Sequence, residues 1–97
     1  MHIRVTPGSM QPDKVQEALA VIGEMFAAYR QGEGFQHGYA AVDEQSGEGM
    51  VVTLWDSEQA AQAASQQARQ LLTKLAPLMV SGQTPTIPRA YKVQLES

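Results

Sequence analysis

The stretch Met50-Val51-Val52-Thr53-Leu54-Trp55-Asp56-Ser57-Glu58-Gln59-Ala60 decides how this 97-residue chain is read. Its first six residues favour a strand, and both of their alternating sets are largely apolar, the pattern of a strand covered on two sides. Asp56 or Ser57 then caps a helix, with Glu58 at the positive end of its dipole. That helix continues through Ala60, Ala64, Ala68, Leu71, Leu72 and Leu75 until Pro77 closes it. Alanine along its first half permits close approach to a sheet or leaves room for a ligand. A strand apolar on both faces needs shelter on both, and one helical layer supplies only one.

Towards the N-terminus, His2 to Thr6 reads as a short strand stopped by Pro7-Gly8. Pro12 suits the first turn of a helix. Val15, Leu19, Ile22, Phe26 and Tyr29 recur at spacings of three and four and mark one buried stripe. Gly32 and Gly34 end that helix. Gly34 to Val42 follows as a strand, and Asp43 to Gly49, centred on Ser46-Gly47, as a hairpin loop. Beyond the second helix, Ser81 to Pro85 reads as a loop. Ala90 to Glu96 reads as the last strand, with Tyr91, Val93 and Leu95 inward.

The order β-α-β-β-α-β over residues 1–97 predicts one domain of the α+β class. It is a ferredoxin-like fold, a four-stranded antiparallel sheet with both helices on one face. The face left bare predicts a homodimer formed through it. Hydrophobic residues make up 43%, which argues against disorder. The absence of cysteine excludes disulfides and thiolate chemistry. Seven basic residues are scattered and the net charge is −3, so no basic face for nucleic acid is expected. The two histidines lie far apart in sequence, and no phosphate-binding glycine motif follows a strand. Neither a metal nor a cofactor is therefore expected. No apolar run suits a leader or a membrane span, so a cytoplasmic protein is the expectation.

The Gly34-Phe35 pair, the run from Val51 to Ala60 and the Tyr91-based final strand resemble the antibiotic biosynthesis monooxygenase domain. That family belongs to the dimeric α+β barrel superfamily, in which two sheets pair across a two-fold axis. The resemblance implies an eight-stranded barrel with its helices outside. It also implies an oxidoreductase, acting without cofactor on a small aromatic or carbonyl compound by oxidation or isomerisation. Members that degrade haem carry an asparagine on the first strand and a tryptophan and a histidine on the second helix. This chain has no asparagine, and Glu58 to Ala76 holds neither of the other two, so haem degradation is not expected.

Candidate chemistry reduces to His37, Tyr39, Trp55 and Tyr91. With hairpin partners whose numbers sum to about 92, His37 falls opposite Trp55 and Tyr39 opposite Thr53, all on one face. A slip of one residue would send His37 and Tyr39 to the other face. In the first register His37 and Tyr39 are the expected catalytic pair, with His37 moving a proton near neutral pH. Trp55, Thr53, Ala64 and Tyr91 would then line a ligand site. Each has a plainer role as well: Trp55 filling the core, His37 half-exposed on a strand, the tyrosines packing at an edge or in the dimer contact. The alternative function is a non-catalytic ligand-binding or interaction domain on the same scaffold.

Overall fold

Four strands form one sheet in the order β2-β3-β1-β4. They are β1 (His2–Ser9), β2 (Phe35–Val42), β3 (Glu48–Trp55) and β4 (Arg89–Lys92), and each neighbouring pair is antiparallel. The helices are α1 (Val15–Gln31), entered through a 3-10 turn at Pro12–Lys14, then α2 (Glu58–Gln67) and α3 (Arg69–Leu75), left through a 3-10 turn at Ala76–Leu78. The computed structural model describes residues 1–67, 69–80 and 89–97, with the backbone alone at 65 and 67. The expected loop Ser81 to Pro85 and the stripe position Ala68 lie outside the described residues. Each βαβ unit straddles the central strand of the other, so the fold is α+β and ferredoxin-like as the element order implied.

The helical layer covers one sheet face. From α1 the buried residues are Val15, Ala18, Ile22, Met25 and Tyr29, a strict alternation of threes and fours. The expected Leu19 and Phe26 flank that seam, half-buried. From α2 come Ala61 and Ala64, and from the sheet Trp55. No helix among the described residues is long and apolar enough to cross a membrane.

Three strand boundaries and one register differ from expectation. β1 runs through Pro7-Gly8 to Ser9. The described β4 ladder reaches only Val5, and further along the Ser9 carbonyl accepts from the Val80 amide at 3.0 Å. β3 starts at Glu48 because the hairpin is tighter than expected. The Asp43 carboxylate accepts from the amides of Gln45 and Ser46, and Gly47 donates to the Asp43 carbonyl at 2.7 Å. β4 ends at Lys92, which pairs with His2 at the start of β1, and the Val93 amide bonds the Met1 carbonyl. Leu95, expected inward, is 92% exposed.

The register matters most. From Val42↔Gly49 to His37↔Leu54 the hairpin partners sum to one less than expected, and an irregularity at Gln36 then brings Phe35 opposite Trp55. His37 therefore faces Leu54 and Tyr39 faces Val52.

Gly47 has a φ of 81° and lies against the Met10 backbone, whose amide donates to the Gly47 carbonyl at 2.7 Å. A β-carbon there would collide with the Met10 carbonyl oxygen. Gly47→Ala is expected to destabilise the protein by at least about 2 kcal/mol, summing left-handed strain and the collision. Urea denaturation measures this, and a stabilised variant would show that the hairpin relaxes freely.

Candidate functional site

Strand alternation divides the sheet into two surfaces, and the registers give their rows. Facing the helices, one row is Phe35, Trp55, His2 and Lys92, and the next is Gly38, Thr53, Arg4 and Ala90. On the face turned away, the rows are His37, Leu54, Ile3 and Tyr91, then Tyr39, Val52, Val5 and Arg89. The expected site is thus split. Trp55, Thr53 and Ala64 come together under α2, while His37, Tyr39 and Tyr91 stand across the sheet from them. The sheet lies between His37 and Tyr39 on one side and Trp55 on the other.

On the helix side, Trp55 is 1% exposed. Its indole Nε1 donates to the Thr53 hydroxyl at 2.8 Å, which satisfies a donor that burial would otherwise strand. The rings of Tyr29 and Phe35 meet it edge-on, with centroids 5.2 and 5.1 Å away. Gly38 is where Phe26 reaches the sheet, since a β-carbon there would press on the ring at 2.9 Å. Ala61 and Ala64 are fully covered, and α2 packs on β1 and β3. A groove of about 360 Å³ opens beside Gly34, Asp56, Ser57 and Ala60, at the start of α2, where the Gln36 amide donates to the Asp56 carboxylate.

Two polar side chains that the sequence reading does not assign to this interior, Arg4 and His2, join it beside Tyr29 of the α1 stripe. Arg4 is only 9% exposed and hydrogen-bonds the hydroxyl of buried Tyr29. Burial raises the Tyr29 phenol above its ordinary value near 10, and the charge and hydrogen bond of Arg4 offset part of that rise. His2, beside Arg4 on the same strand face, has its Nδ1 buried with no hydrogen-bond partner among the described residues. Burying a guanidinium costs several kcal/mol unless its surroundings compensate, and an apolar side chain would pack there more cheaply.

The signal for these residues is present in β1. Its helix-facing set is His2, Arg4 and Thr6, whereas its outward set includes Ile3 and Val5. An isolated sheet with one wet face shows the opposite arrangement. The outward face is apolar through its middle, with His37 and Arg89 on its outer strands: Tyr39 is 59% and Tyr91 51% exposed, with Met50 also exposed and Ile3, Val5, Val52 and Leu54 half-buried. The His37 and Tyr39 rings lie there 6.4 Å apart.

The chain has the fold of the antibiotic biosynthesis monooxygenases. It superposes on a structure assigned to that group from Nitrosomonas europaea with a TM-score of 0.79, at 11% identity, over 98% of this chain and 100% of the other. SnoaB of Streptomyces nogalater, a cofactor-independent oxygenase seen in an asparagine-to-alanine mutant, gives 0.78 at 14% identity over 98% and 94%. Rv0793 of Mycobacterium tuberculosis gives 0.77 at 13% identity over 99% and 97%. No family model and no curated protein sequence matches the chain.

Proposed function

We propose that the chain works as a cytoplasmic homodimer, its outward sheet face closed by a second copy. In each half, the interior between sheet and helices takes a small aromatic or carbonyl compound, which it oxidises or isomerises without a cofactor. The observation that carries this reading is the inversion on β1, where polar His2 and Arg4 face the helices and apolar Ile3 and Val5 face away. A second copy makes the apolar face an interior. Trp55, Thr53 and Ala64 keep their ligand-lining role, while His37, Tyr39 and Tyr91 pass to the contact between copies. The chemistry needs no metal. A compound that loses a proton to give an enolate or phenolate reacts directly with dioxygen, and the protein's task is to hold the anion and exclude water.

The test is a panel of small phenols and quinones, followed by thermal shift and by oxygen uptake with a chelator present. At least one compound is expected to raise the melting temperature and to drive oxygen consumption. A shift without uptake would leave the binding-domain alternative, and no shift with any compound would overturn the small-molecule reading. His37→Ala is expected to show the same ligand-induced shift as the native chain. A shift lost in that variant would return His37 to the site.

A further inference from the structure

We draw no further inference here: the strongest candidate, the groove of about 360 Å³ beside Gly34 and the first turn of α2, is lined by that helix N-terminus and the exposed carboxylates of Glu33 and Asp56, and nothing among the described residues shows what would fill it.

Discussion

Val52→Lys is expected to turn the proposed dimer into a monomer of 10.5 kDa, with dimer affinity falling by at least about 100-fold. Val52 lies on β3, an inner strand of the sheet, between Tyr39 of β2 and Val5 of β1, on the face turned away from the helices. An ammonium placed in an apolar contact costs several kcal/mol because no partner charge awaits it there. A symmetric contact repeats the cost, since each copy brings its own lysine to the same patch. The side chain points away from Trp55 and the α1 seam, so the far-ultraviolet spectrum of the variant should match the native one. Gel filtration and sedimentation at micromolar concentration measure the effect. A native chain that is itself monomeric under those conditions would remove the dimer and, with it, the explanation of the apolar face.

Trp55→Ala carries the largest expected loss of stability. The indole is among the two largest fully buried side chains, wedged edge-on against Tyr29 and Phe35 and hydrogen-bonded to Thr53. Truncating a buried tryptophan to alanine costs about 3–5 kcal/mol, from lost transfer energy and the cavity left behind. The Thr53 hydroxyl, itself buried, also loses its donor. For a domain of this size each kcal/mol lowers the melting temperature by roughly 4–8 °C, so a fall of about 15 °C or more is expected. Trp55→Phe keeps an aromatic ring without the N–H and should lose about 1–2 kcal/mol. Thermal and urea denaturation separate the two variants. A loss below about 1 kcal/mol for alanine would mean that the interior collapses around the gap.

The two substitutions probe opposite faces of β3, whose two-sided apolar pattern is legible in the run from Met50 to Trp55 alone. What that pattern does not reveal is which alternating set faces the helices. The spacing of two assigns Trp55 and Thr53 to one face together, and the small residues of α2 point to Ala64. Strand pairing inferred from the loop puts His37 and Tyr39 with them, one residue out of step. With side chains alternating at period two, that single step exchanges the faces of His37 to Val42 relative to β3, while the irregularity at Gln36 leaves Phe35 on the Trp55 face. Arg4 and His2 escape a sequence reading for a related reason. Polar residues alternating with Ile3 and Val5 look solvent-facing, and they face inward here because the apolar set is turned to the other surface.

The succession of elements, the α1 seam, the turn at Ser46-Gly47 and the need for cover on both sides of the sheet are all dictated along the chain. They follow from local chemistry: helical and strand periodicities, a proline at a helix entry, glycines where the chain turns. The hairpin register, the extension of β1 through Pro7 and the meeting of Arg4 with Tyr29 are settled by the folded arrangement instead. These depend on which strand lies beside which, and on where each ladder ends. Such contacts join residues distant along the chain, and no local pattern encodes their alignment to within one residue.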